Sequence, residues 1–177
     1  MVSIHSFLRA GTGLLGVVFA SLVRQYTATD IAELVPLIKK NLALNNVPDY
    51  SPSSPSKSAP PRANVSAEAL DWVALRNCSP SKRQSIYLYP PIDLLLVVDC
   101  IYHPSLLPAL VDTIDHLATP ERTAVLVIVE LRAEDVVREF LELWLAAGQS
   151  SWEIWHAEGI MEGPYAVWVG WKKGADR

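Results

Sequence analysis

Asp93–Val98 reads Asp-Leu-Leu-Leu-Val-Val, and that run constrains the fold more than any other part of the chain. A strand with one face in water alternates apolar and polar residues, so an unbroken apolar run is the pattern of a strand covered on both faces. A second buried strand is expected at Thr123–Leu131, after a helix-like stretch at Pro104–Leu117. Buried strands separated by helices predict an α/β fold with a mostly parallel sheet.

The rest of the chain extends this alternation. Ile4–Leu8 is a weak first strand, Gly13–Leu22 a helix, and Gln25–Thr29 a short strand ending at Asp30. Ile31–Leu44 follows as a helix with Leu34, Leu37, Ile38, Leu42 and Ala43 on one face, and with Pro36 tolerable only near its first turn. Val65–Leu70 is the next strand and runs into Asp71-Trp72. Ala133–Ala147 is strongly amphipathic and ends at Gly148. The tail segments Trp152–His156 and Tyr165–Trp171 alternate and are joined through glycines, as a closing antiparallel pair would be. The mixed charges of Glu130–Glu142 read as a solvated helix face, and Trp144, Trp152, Trp155, Trp168 and Trp171 as core and terminal-pair residues.

Residues 46–63 break the pattern. Pro48, Pro52, Pro55, Pro60 and Pro61 stand among serines there, and such a stretch carries neither helix nor ladder strand. It is expected to be a surface insertion within a single domain spanning residues 1–177.

Charge narrows the partners. Fifteen basic against 19 acidic residues give a formal net charge of −4, without the basic cluster that a phosphate backbone requires, so nucleic acid is not the expected partner. Cys78 and Cys100 cannot build a disulfide framework and fit a reducing compartment; Cys100 reads as a small core residue. Arg9 and Leu14–Val23 imitate a signal peptide, but the run is shorter than the roughly 20 apolar residues a membrane span needs. Asn64-Val65-Ser66 reads as a chance glycosylation triplet. His116 and His156 have no partner by spacing, and no His/Cys group has zinc-like spacing, so no metal is expected.

Gly11-Thr12-Gly13-Leu14-Leu15-Gly16 is a G-x-G-x-x-G loop. Glycines let a backbone turn tightly and let a ligand approach it, and the helix that follows presents N–H groups. Asp30, at the end of the second strand, is placed to accept protons from both hydroxyls of a ribose; otherwise it only caps the helix at Ile31. The loop by itself leaves a nicotinamide dinucleotide and S-adenosylmethionine both open.

Leu8–Gly16, Thr29-Asp30, Leu70-Asp71-Trp72 and Asp99-Cys100-Ile101-Tyr102 occur in the order and approximate spacing of one family. Together they resemble the seven-strand protein methyltransferases of the methyltransferase-16 family, over about residues 8–172. The resemblance implies a Rossmann-like class I methyltransferase fold, S-adenosylmethionine as cofactor, and lysine methylation of a protein such as a chaperone or elongation factor. It implies that Ala10, Gly11, Gly13, Asp30, Asp71, Trp72 and Val98 bind the cofactor. It implies too that Asp99 and Tyr102 orient the acceptor amine, with His103 beside them; the plainer reading has Asp99 capping a turn, Tyr102 packing and His103 marking a helix start. The expected compartment is the cytoplasm, with the nucleus as a second possibility, and no membrane.

The family loop reads Glu-Leu-Gly-Ala-Gly-Thr-Gly, whereas this chain has Phe7 and Arg9 in place of its acid and first glycine. Agreement starts abruptly at Ala10, which favours a different or truncated start over a degenerate paralogue that has lost its cofactor. Two rivals follow: a methyltransferase-like binding module without catalysis, and a nicotinamide-dependent oxidoreductase, which would leave Asp99-x-x-Tyr102 without a role.

Overall fold

The computed structural model describes the backbone of residues 3–7 and the full residues 10–49, 64–148 and 151–174. Arg9, the side chain of Phe7 and most of the proline–serine insertion therefore lie outside the described residues. The chain gathers into two compact units, Met1–Leu70 and Asp71–Arg177.

The first unit holds β1 (Ser3–Phe7), α1 (Leu14–Phe19), β2 (Gln25–Asp30), α2 (Val35–Leu44) and β3 (Val65–Ala69). Strand β2 pairs in parallel with β1, from Ser3 opposite Gln25, and with β3, from Tyr26 opposite Val65 to Asp30 opposite Ala69. Its core is Tyr26, Ala28, Ile38, Leu42 and Val65, each fully buried. The Phe19 ring stacks on Tyr26 at 5.8 Å.

Both helices are shorter than the sequence pattern predicts. Helix α1 stops at Phe19 because the chain turns into β2 there: Leu22 and Val23 donate to Phe19 O. The carbonyls of Ala20 and Val23 take the two amide protons of Asn64, at 2.8 and 2.9 Å. The side-chain nitrogen a glycan would need is thus committed to a turn. Helix α2 starts at Val35 instead of Ile31, which puts Pro36 in its first turn, where a helix accepts proline. That start leaves Ile38 and Leu42, one turn apart, as the buried stripe; Leu37 and Ala43 face outward.

The second unit contains α3 (Trp72–Asn77), α4 (Pro80–Ile86), β4 (Leu94–Val98), α5 (Leu107–Leu117), β5 (Ala124–Glu130), α6 (Glu134–Leu145), β6 (Trp152–His156) and β7 (Tyr165–Lys172). Strands β4 and β5 are parallel, β5 and β7 antiparallel, and β7 and β6 antiparallel. The expected closing pair is present. Two features differ from expectation: the short helices α3 and α4 lie where no periodicity announces them, and Pro104–Leu106 is a 3-10 turn ahead of α5.

Leu95, Val97, Leu110, Ile114, Val125, Val127, Phe140 and Trp144 form the core of this unit. Burying each such side chain contributes roughly 1.5–3 kcal/mol. Trp144 lies between Phe140 and Trp152, each 5.5 Å away by ring centroid. Gly170 lets it lie flat on β7: a Cβ there would stand 2.4 Å from Trp144 Cζ2. Trp155 and Trp171, which belong to the terminal pair, are 61% and 38% exposed. The pleat explains this. Trp152 points at Trp144, so Glu153 and Trp155 point the other way, and Trp171 pairs with Glu153.

Candidate functional site

In the first unit the glycine turn and the acid meet. The Ala10 amide donates to Thr29 O at 3.2 Å, and Gly13 to Ala10 O at 2.6 Å. Gly11 and Gly13 both have left-handed backbone, with φ of 54° and 77°. A Cβ at Gly13 would also stand 2.9 Å from Ile38 Cγ2, so a side chain is refused on two counts. Asp30 ends β2 and is 2% exposed. Its Oδ2 accepts from Gly11 N at 3.2 Å and its Oδ1 from Ile31 N at 2.8 Å. Since α2 begins at Val35, Asp30 does not cap that helix; it ties the end of one strand to the glycine turn.

An ionised carboxylate offers about four lone-pair sites, and two N–H groups leave capacity for a pair of hydroxyl donors. The chemistry of Asp30 therefore fits a ribose diol, and the side-chain-free turn beside it fits the close approach of a nucleoside. Thr12 contributes through its carbonyl, which accepts from Asn41 Nδ2 at 2.9 Å and so fastens the turn to α2.

In the second unit Asp71 is the N-cap of α3: its Oδ1 accepts from Val73 N at 2.8 Å and Ala74 N at 3.1 Å. Trp72 follows in the first helical position and is 8% exposed. It is mostly core. Helix α3 is fastened to α5 by Arg76, which bonds Asp112 at 2.8 Å and Pro108 O at 2.9 Å.

Val98 is the last residue of β4, and Asp99 follows with φ of 51°, a left-handed backbone that an L-residue adopts at a cost. Asp99 N still pairs with Ile128 O at 2.8 Å, which fixes where the side chain starts. Its carboxylate is 55% exposed. Cys100 and Ile101 turn inward and Tyr102 outward, the latter 44% exposed. His103 bonds Ser105 Oγ through Nδ1 at 2.9 Å and begins the 3-10 turn.

Two residues of this site escape a sequence reading. Glu130 is the last residue of β5 and Arg132 sits in the loop after it, so neither belongs to a solvated helix face. The Arg132 guanidinium holds the Glu130 carboxylate through Nε at 2.7 Å and through Nη2. That same Nη2 stands 3.7 Å from Asp99 Oδ2. The Glu130 hydrogen bond, then the charges of Glu130 and Asp99, push the basicity of Arg132 above its ordinary value. The register brings them there: Val98 pairs with Ile128 in parallel, which sets the ends of β4 and β5 side by side.

His116, for which spacing names no partner, lies within 3.1 Å of Tyr87 O through Nε2. Among the described residues no group of His, Cys, Asp and Glu could hold a metal ion, and no helix is long and apolar enough to cross a membrane.

Comparison with known proteins completes the description. The model of a family described as lysine methyltransferase matches residues 7–145. Solved structures share the fold at low identity. An rRNA methylase from Streptococcus thermophilus superposes with a TM-score of 0.56 at 12% identity, over 98% of this chain and 88% of that one. An S-adenosylmethionine-dependent O-methyltransferase from Thermotoga maritima gives 0.58 at 14%, over 99% and 60%. A precorrin 8w decarboxylase from Methanobacterium thermoautotrophicum gives 0.56 at 16%, over 97% and 82%. At such identities the likeness is one of fold. No curated protein matches the chain in sequence.

Proposed function

Because the chain belongs to the family described as lysine methyltransferase, we propose that it moves a methyl group from S-adenosylmethionine to the side-chain nitrogen of a lysine in another protein. Family membership makes the chain an S-adenosylmethionine-dependent methyltransferase in kind; the lysine acceptor is the finer step. One observation carries it. Asp99 holds an exposed carboxylate on a left-handed residue at the carboxyl end of a buried strand, three positions before an exposed tyrosine. Strain of that sort persists where it serves a site, and strand ends are where open α/β sheets gather ligands.

The cofactor, when bound, supplies a methyl group on a positively charged sulfur that a free amine attacks in line. Asp30 is assigned the ribose hydroxyls, and the turn at Ala10, Gly11 and Gly13 the backbone approach. Val98, Asp71 and Trp72 are carried over from the family pattern as cofactor neighbours. The cap that Asp71 gives α3 uses one of its two carboxylate oxygens. Asp99 accepts a hydrogen bond from the amine and lowers the energy of the positive charge that grows on nitrogen, which a neutral acceptor such as a carbon nucleophile does not need. Tyr102 walls the same approach. The acceptor protein is expected in the cytoplasm and of the elongation-factor or chaperone kind.

Phe7 and Arg9 favour one alternative, a chain that keeps the fold and has lost the cofactor. Calorimetric titration with adenosylhomocysteine separates the two. Methyl transfer is then read by incubating the purified chain with radiolabelled cofactor and cytosolic protein, followed by amino-acid analysis. Label in methyl-lysine that disappears with Asp99→Asn is the expected result. Label confined to RNA or to another residue ends the lysine reading, and absence of binding leaves the alternative.

A further inference from the structure

Arg132 does not reach Asp99 by accident of a loose side chain. The loop that carries it is braced twice: Arg132 N donates to Glu130 O at 2.8 Å, and Leu131 N to Pro164 O at 2.7 Å. The guanidinium is then anchored on Glu130 by two of its nitrogens. The guanidinium, paired with the Glu130 carboxylate and 65% exposed, stands 3.7 Å from an Asp99 oxygen. That distance exceeds an N–H···O hydrogen bond, so Arg132 leaves the Asp99 lone pairs available. It is close enough for the two charges to act on each other, and on a third, through space.

An amine arriving at Asp99 meets both charges. The carboxylate would by itself attract the ammonium ion, the form of lysine that cannot react. The guanidinium opposes that attraction and not the hydrogen bond of a neutral amine. We propose that Arg132 is a positioning residue that sets the charge state of the acceptor: it makes the Asp99 position select the free amine over the ammonium ion. This rests on the lysine reading given above. The lysine leaves one proton in bulk water as it enters. Its lone pair then forms the N–C bond while the C–S electron pair returns to sulfur, and the methylated nitrogen sheds a second proton to water. The groups around the guanidinium are Glu130 on its own strand end, Asp99 at the end of β4, and Tyr165 opening β7. Tyr102 and His103 share the loop of Asp99, with His103 engaged by Ser105.

The test uses the full chain and n-butylammonium as probe, with 1-butanol as its neutral counterpart, followed by NMR shifts of the amides at 99–102. Arg132→Gln should bind the cation about three- to tenfold more tightly than wild type, the size expected when a unit charge a few Å away is removed from a wet site. Butanol binding should not change, Arg132→Lys should stay close to wild type, and Asp99→Asn should lose the cation in either background. With a lysine acceptor, the acid limb of kcat, which reports the bound complex, should move up by about half to one pH unit in Arg132→Gln, because the amine is then held protonated to higher pH. Equal or weaker cation binding in Arg132→Gln overturns the proposal, as does an unmoved acid limb. If the probe series behaves as stated but wild type methylates no lysine, the charge arrangement stands and the lysine reading falls.

Discussion

Replacing Asp30 by Asn changes one atom for another of nearly equal size, and the structure says why it should be costly. Asp30 is 2% exposed, and each of its oxygens accepts one backbone N–H, from Gly11 at 3.2 Å and from Ile31 at 2.8 Å. An amide has a single oxygen. Whichever N–H it keeps, its own NH2 confronts the other, so a charge-assisted bond is lost and a buried donor faces a donor. The loss should be about 1.5–3 kcal/mol of stability. The diol acceptor is impaired as well, and adenosylhomocysteine should bind about 10–100-fold more weakly, at 1.4 kcal/mol per decade. Urea unfolding followed by circular dichroism gives the first quantity, provided the slope is unchanged; calorimetry gives the second. A variant that unfolds at the wild-type midpoint refutes the tie between β2 and the glycine turn. One that is destabilised yet binds normally refutes the ribose assignment and leaves Asp30 a scaffold residue.

Three further outcomes are expected. Gly170→Ala should cost about 1–3 kcal/mol by urea titration, because its Cβ would meet Trp144, itself wedged between Phe140 and Trp152; an unchanged midpoint would show that the indole has room to move. Asp71→Ala should cost about 1 kcal/mol through loss of the α3 cap, whereas Asp71→Asn, an equally good cap, should not. Weak adenosylhomocysteine binding by that stable Asn variant would place the carboxylate on the ligand, and normal binding would confine it to capping. Burial holds His116 below its ordinary 6.5, against the opposing pull of the Tyr87 carbonyl. The neutral form is therefore favoured in the fold, the unfolded chain takes up the proton first, and stability should fall as pH drops from about 6.5 toward the lowered value. Urea midpoints between pH 7.5 and 5 should show that decline in wild type and less of it in His116→Gln; parallel profiles would rule it out.

Much of the fold was legible in the chain order, because hydrophobic periodicity is a local property. The run at 94–98, the short strand ending at Asp30 and the glycine-linked tail lie as strands within a residue or two of where their patterns put them. Misreadings cluster where a second residue decides. Pro36 moved the start of α2, and the amide of Asn64, far along the chain, closed α1 early. Tryptophan count did not foretell burial: the pleat sends Trp152 inward and Trp155 outward, and no composition argument can see a pleat.

The site divides along the same line. Gly11, Gly13, Asp30 and the Asp99-x-x-Tyr102 pattern were visible because backbone turns and strand ends impose residue types at fixed spacing. Their electrostatics were not. That Arg132 faces Asp99 depends on which strand lies beside which. Thirty-odd residues of sequence separate Asp99 from Arg132, and only the parallel register of β4 with β5 turns that separation into 3.7 Å. Charge acts through space, so it becomes readable only once the chain has folded; pattern acts along the chain, and was readable from the start.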